Sequence, residues 1–265
     1  MSNDYTVTAI DRAFDVLKCL ARSDDEMSLV DLAQETGIPK STLFRIMSTL
    51  QERKCVTRDE ERKTYRLGLR LMELGHAYRD QSNLLDAAET HMETVAEACE
   101  ESVFLGMLDE QEVIFVRSKE SPKSAVFVRK SGQRAPAYCT ATGLAMLAFR
   151  PQEEVERILE ASELKAHTPN TTTDADALRE KLQEIRHTHV AVVDGEYNPA
   201  LLCVSAPVFD EEGTSVASLT VALLSAQVTD ERIEKMKKHV RNTAQNLSKE
   251  RGYFEDRFPE AALAS

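Results

Sequence analysis

The sequence contains no long apolar run. Nothing in it approaches the roughly 18 residues a membrane-spanning helix needs, and no window resembles a secretory leader. The expectation is therefore a cytoplasmic protein, neither exported nor inserted in a membrane. Paired cysteines are also missing. Cys19, Cys55, Cys99, Cys139 and Cys203 are odd in number and widely scattered. That pattern suits neither a disulfide framework nor a zinc site, but it does suit reduced, mostly buried thiols. No serine elbow between glycines and no phosphate loop appears. His167, His187 or His189 would have to serve a Cys139 or Cys203 nucleophile, and nothing in their spacing brings them together. A hydrolytic or other enzyme is accordingly set aside, and no cofactor or metal is expected. Positive charge is outnumbered overall: 33 Lys and Arg stand against 45 Asp and Glu, and the formal net charge of -12 argues against indiscriminate polyanion binding by the whole surface.

What positive charge there is lies unevenly. From Gly37 to Arg70, Lys40, Arg45, Arg53, Lys54, Arg58, Arg62, Lys63, Arg66 and Arg70 face only Glu52, Asp59, Glu60 and Glu61. A local basic patch on an acidic chain gives attraction to phosphate without general stickiness. The chain has 265 residues, 42% of them apolar, enough for one large core or two modest ones.

Local patterns explain the patch. Ile10, Ala13, Phe14, Leu17 and Leu20 recur at helical spacing. Ser28 is an N-cap candidate with Asp31 three residues on, ahead of the short apolar face of Leu29, Leu32 and Ala33. Gly37 stops that helix, and Pro39 suits the first turn of the next, where its missing N–H would be unpaired anyway. In that next helix Leu43, Ile46, Met47 and Leu50 form one apolar stripe, with Ser41, Arg45 and Ser48 opposite. Two short helices joined through a glycine make a helix-turn-helix. "CVTR" and "TYRL" then read as strands flanking the turn "DEERK", which adds a wing. Lys40, Ser41, Thr42 and Arg45 are placed to enter the major groove of operator duplex DNA. Arg62 and Lys63 fall at the hairpin tip, beside the phosphate backbone. Tyr65 either offers its hydroxyl there or packs under the wing.

After Gly68, Leu69, Met72 and His76 share one helix face, and Leu71, Leu74 and Tyr78 another, which suggests a connector that also packs in a dimer. A long amphipathic helix follows, with the stripe Leu85, Ala88, Met92, Val95 and Cys99. The period then changes to that of strands. "SVFLGML" and "EVIFVRS" form a hairpin, and "SAVFVRK" reads as a third strand. "SGQRAPAY" reads as a loop before the small, apolar helix "CTATGLAMLAF". Pro151 opens another helix, and Thr173 or Asp174 caps one reaching His187. "HVAVVD", "LLCVSAPVFD" and "TSVASLTVALL" are strands, and a final helix starts at Thr229 or Asp230. Antiparallel strands interleaved with helices define an α+β domain.

The segments "AIDRAFDVLKCLA", "SLVDLAQETGIPKSTLFRIMSTL", "RKTYRLG", "SGQRAPAYCTATGLAMLAF", "AHTPNTTTD" and "CVSAPVFDEEG" together resemble the IclR family of bacterial transcription regulators, over roughly Thr8 to Gly252. The resemblance implies an α+β chain in three parts: a winged helix-turn-helix DNA-binding domain over 1–68, a linker helix over 69–82, and a GAF-like effector-binding domain with an antiparallel sheet over 83–265. It also implies dimers or tetramers on palindromic operators, and a small-molecule effector on one face of the C-terminal sheet. Carried onto this chain, the effector positions are Ala125, Phe127, Ala141, Thr142, Asp194, Glu196, Cys203, Ser205, Thr220 and Ala222.

The chain departs from the family pattern in places. Members that sense small oxo-acids resemble one another in having two serines where this chain has Thr220 and Ala222. The family often has lysine or arginine where Leu144 stands, and a histidine near Tyr197. The more apolar wall points to a larger or aromatic effector, such as an aromatic acid. Effector binding would shift the population between two dimer arrangements and so change operator affinity, with repression favoured over activation. A redox-sensing regulator working through Cys139 or Cys203 is the alternative.

Overall fold

The computed structural model describes residues 7–23, 25–80, 83–126 and 130–253. The chain divides between Ser82 and Asn83 into two compact units.

The first unit begins with α1 (Thr8–Arg22). Its buried face is Val16 and Leu20, with Ala13 and Leu17 partly buried beside them. Ile10 and Phe14, read from periodicity as part of the inner stripe, are instead 55% and 58% exposed. A two-residue strand, β1 (Met27–Ser28), pairs antiparallel with Thr64 and Tyr65 and was not evident from the sequence. α2 (Leu29–Thr36) opens with a capping box: the Ser28 hydroxyl accepts from the Val30 and Asp31 backbone N–H groups, while Asp31 accepts from the Ser28 N–H. The helix ends at Gly37, whose φ of 67° is left-handed and favours a residue without Cβ. Pro39 is the N-cap of α3 (Lys40–Glu52), one position ahead of the first turn expected for it. Leu43, Ile46, Met47 and Leu50 are the buried stripe of α3, as its spacing requires.

The wing is β2 (Val56–Asp59) and β3 (Thr64–Leu67), antiparallel, with Val56 opposite Leu67 and Asp59 opposite Thr64. α4 (Leu69–Asp80) follows. Its Leu69, Met72 and Leu74 are all more than half exposed. The side chains of His76 and Tyr78 lie outside the described ones.

The second unit is a six-stranded antiparallel sheet in the order β6-β5-β4-β9-β8-β7, with helices on both faces. The strands are β4 (Ser102–Asp109), β5 (Glu112–Lys119), β6 (Arg134–Pro136), β7 (Ala191–Asp194), β8 (Leu201–Phe209) and β9 (Ser215–Leu224). Period-two alternation sorts their side chains. Val103, Leu105, Val204, Leu219 and Val221 turn toward α5 (Asn83–Cys99) and α9 (Asp230–Glu250). Phe104, Phe115, Val193 and Ala222 turn the other way, toward α6 (Ala141–Leu147), α7 (Gln152–Ala161) and α8 (Ala175–Thr188). Asp174 caps α8 and Thr229 caps α9.

One strand differs from expectation. Residues 124–126 of "SAVFVRK" are not strand, and 127–129 lie outside the described residues. Instead Arg134–Pro136, inside the segment read as a loop, pairs with Glu112–Ile114 and forms the sheet edge. Backbone bonds Phe115 N–H to Gln133 O (2.9 Å) and Gly132 N–H to Phe115 O (2.8 Å) extend that attachment.

Candidate functional site

Two sites emerge, one in each unit. In the first, α3 is anchored through its inner stripe, so its other side faces solvent. Lys40, Ser41 and Arg45 are exposed and Thr42 is partly so. Neither Lys40 nor Arg45 has an ion-pair partner among the described residues. The Ser48 and Thr49 hydroxyls donate to the Phe44 and Arg45 carbonyls (2.9 and 3.1 Å), so both are occupied within the helix.

The wing tip is shaped by Asp59, whose Oδ1 accepts from the Arg62 and Glu61 backbone N–H groups at 2.9 Å. Those bonds, that from Arg62 foremost, hold its carboxyl below the usual range. Arg62 and Lys63 are exposed at the tip. Of the two placements open for Tyr65, the structure shows packing. It is 5% exposed in the core of the unit, because alternation along β3 turns it inward while Thr64 and Arg66 turn out. The Arg58 guanidinium lies over its ring at 5.7 Å. Tyr65 therefore holds the wing from beneath.

The second site is a cavity of about 230 Å³ between the sheet and α6. Ala141, Thr142, Glu196, Cys203, Thr220 and Ala222 line it, together with Phe104, Phe115, Val126, Val193, Leu201 and Asn198. The two phenylalanine rings meet edge to face with centroids 6.0 Å apart. No lysine or arginine lines the cavity among the described residues. Glu196 is buried and is ion-paired with Lys181, and it also accepts from the Thr172 N–H at 3.2 Å. The Thr142 and Thr220 hydroxyls are 2.8 Å apart, and Thr220 meets Ser205 at 2.7 Å. Gly143 lets α6 pack directly on the chain just after β6: a Cβ there would lie 2.2 Å from the Ala137 carbonyl oxygen.

Three sequence expectations end elsewhere, and a fourth residue is not described. Ser205 is fully buried behind Thr220, its register partner across β8 and β9, and does not line the cavity. Asp194 is exposed and accepts from the Ser225 hydroxyl at 2.7 Å, because alternation along β7 gives the inward position to Val193. Ala125 is exposed and its neighbour Val126 takes the cavity wall, with Val126 O accepting from the Ser102 hydroxyl. Phe127 lies outside the described residues. Phe104 and Phe115 were missed, although the alternation in "SVFLGML" and "EVIFVRS" sets them apart from Val103 and Leu105. Cys139 also lines the cavity. Burial, reinforced by the Glu196 charge, pushes its thiol up to about 12, so it is protonated near neutrality and is a poor nucleophile.

Residues 9–60 match the family model of the IclR helix-turn-helix domain, and 76–249 match that of the bacterial transcriptional regulator IclR C-terminal domain. The chain belongs to the IclR family. It is a transcriptional regulator with an N-terminal helix-turn-helix and a C-terminal effector-binding domain. Among IclR-family relatives, the transcriptional regulator KdgR of Escherichia coli K12 is 28% identical over 94% of this chain and 95% of its own. The crystal structure of an IclR regulator from Alicyclobacillus acidocaldarius superposes with a TM-score of 0.83. It is 30% identical and covers 92% of this chain and 99% of its own. An IclR homologue from Microbacterium hydrocarbonoxydans, complexed with 4-hydroxybenzoate, has a TM-score of 0.78 at 23% identity, covering 92% and 100%. No helix among the described residues is long and apolar enough to cross a membrane.

Proposed function

We propose that this regulator binds palindromic operator DNA as a dimer or tetramer, represses from it, and changes affinity when a one-ring aromatic acid or similar small organic molecule occupies the C-terminal cavity. The DNA half of this reading is carried by the outward face of α3, where Lys40, Ser41 and Arg45 stand exposed and both cations lack ion-pair partners among the described residues. A helix held only by its opposite stripe is free to lie in a major groove, with Arg62 and Lys63 of the wing on the backbone alongside. Thr42 joins the first-turn contacts.

The effector half rests on the cavity's own walls. An apolar space of roughly 150 Å³ accepts benzene, so about 230 Å³ holds one ring with a substituent. Phe104, Phe115, Val193, Leu201 and Ala222 supply the apolar contacts, and Thr142, Thr220 and Asn198 the few polar groups that orient a ligand. The likeness to the 4-hydroxybenzoate-bound homologue is one of fold, and an aromatic effector agrees with it. A footprint on the protein's own promoter region, repeated with aromatic and small oxo-acids, tests both halves. Protection relieved by an aromatic acid supports the reading. Protection relieved only by glyoxylate- or pyruvate-sized acids refutes the effector half, and no protection refutes the whole.

The redox alternative finds little support at Cys139, whose protonated thiol is shielded by burial. Cys203 is half-buried in the same cavity, and Cys203→Ser tests the remainder: unchanged peroxide sensitivity of operator binding would remove it.

A further inference from the structure

The outward face of α3 holds one residue that charge does not explain. Phe44 is 58% exposed. It stands one turn from Ser41 and Ser48 and next to Arg45, in the middle of the surface flanked by cations. It is not among the buried or partly buried residues of the core of its unit. With the Ser48 and Thr49 hydroxyls donating to their own helix, the first turns of α3 offer a groove the polar groups of Lys40, Ser41, Thr42 and Arg45 and one aromatic ring.

An exposed ring amid cations needs an apolar partner that sits inside a polyanion. The major groove has one: the 5-methyl group of thymine is its only apolar feature, and phenylalanine is among the side chains that contact it. Lys40 and Arg45 draw the helix to a duplex, and Phe44 lies between the positions they would take. We infer that Phe44 reads thymine, packing its ring on a 5-methyl group in each operator half-site and so requiring an A·T pair at that step. This rests on the DNA-binding reading above and adds a specificity contact to it.

The test uses the full chain and the duplex its footprint defines. Each thymine of a half-site is replaced in turn by deoxyuridine, which removes only the methyl group. One replacement per half-site, two in the whole operator, should weaken wild-type binding by about ten- to twentyfold, the effect of two buried carbons. Phe44→Ala should bind the thymine duplex about as weakly as wild type binds the deoxyuridine one, and should be indifferent to the replacement. Its salt dependence should match wild type, because no phosphate contact is lost. Phe44→Leu, which keeps an apolar tip, should retain part of the sensitivity. The inference is overturned if no thymine replacement matters, or if Phe44→Ala keeps the wild-type penalty. It is also overturned if Phe44→Ala weakens both duplexes equally while shifting the sedimentation coefficient, since the ring would then contact protein. Failure of wild type to protect any duplex is a different result: it removes the DNA-binding reading itself.

Discussion

The Thr142 and Thr220 hydroxyls lie 2.8 Å apart, joining α6 to β9 across the cavity floor. Both residues are at most 2% exposed, and Thr220 also meets Ser205. Thr220→Val keeps the shape but removes the partner of the buried Thr142 hydroxyl, while Ser205 keeps Ser218 and the Leu219 carbonyl. The expected loss is about 1–3 kcal/mol, read from the urea midpoint at unchanged slope. Operator affinity without effector should remain near wild type, while the effector concentration needed for release should change severalfold.

The two DNA elements should separate in their salt behaviour. Per half-site, Arg45→Ala should weaken operator binding by about 1–3 kcal/mol and relax preference at one base pair, whereas Lys63→Ala should weaken all duplexes alike and lower the salt slope by about one unit. Fluorescence anisotropy over a salt series distinguishes them. Equal operator affinity for wild type and the double variant would contradict this placement of the interface.

Gly37→Ala isolates a backbone effect. A Cβ there would meet nothing within 4 Å, but the φ of 67° is unfavourable for alanine. We expect a destabilisation of about 1–2 kcal/mol, visible in chemical denaturation of the intact protein. Gly37→Asn, a residue that tolerates this region, should recover most of it.

The Cys139 thiol offers a pH test. Its folded-state value of about 12 lies above the ordinary 9.0, so above about pH 9 the unfolded chain ionises while the folded one does not. The stability associated with this group is therefore complete below about pH 9 and declines as pH rises toward 12. Cys139→Ala should flatten that part of the stability profile. At about pH 7.5, a thiol reagent should leave Cys139 unmodified in the native protein and reach it on unfolding.

Much of this was legible in the sequence, for identifiable reasons. The Ser28 capping box, the Gly37 stop and the α3 stripe are encoded within a few residues, so short-range rules reach them. The α1 face was misjudged because periodicity shows that apolar residues align, not which of them meet a core: Val16 is buried and Phe14 is not. β6 escaped because Arg134–Pro136 is held by its pairing with β5 rather than by its own composition. At the cavity, Thr142 and Thr220 were found, but Asp194, Ser205 and Ala125 were not separated from the residues lining the wall. Which of two neighbours on a strand turns inward depends on register, and a one-residue slip exchanges the faces.

The Gly37–Ile38–Pro39 connection has a consequence for how such a regulator acquires new targets. Gly37 and Pro39 set the entry of α3 by local stereochemistry, and four buried side chains on its inner side hold it there. Lys40, Ser41, Phe44 and Arg45 are not among those four. On the DNA-binding reading proposed above, operators could therefore diverge through a handful of surface exchanges while the scaffold that aims the helix is inherited intact.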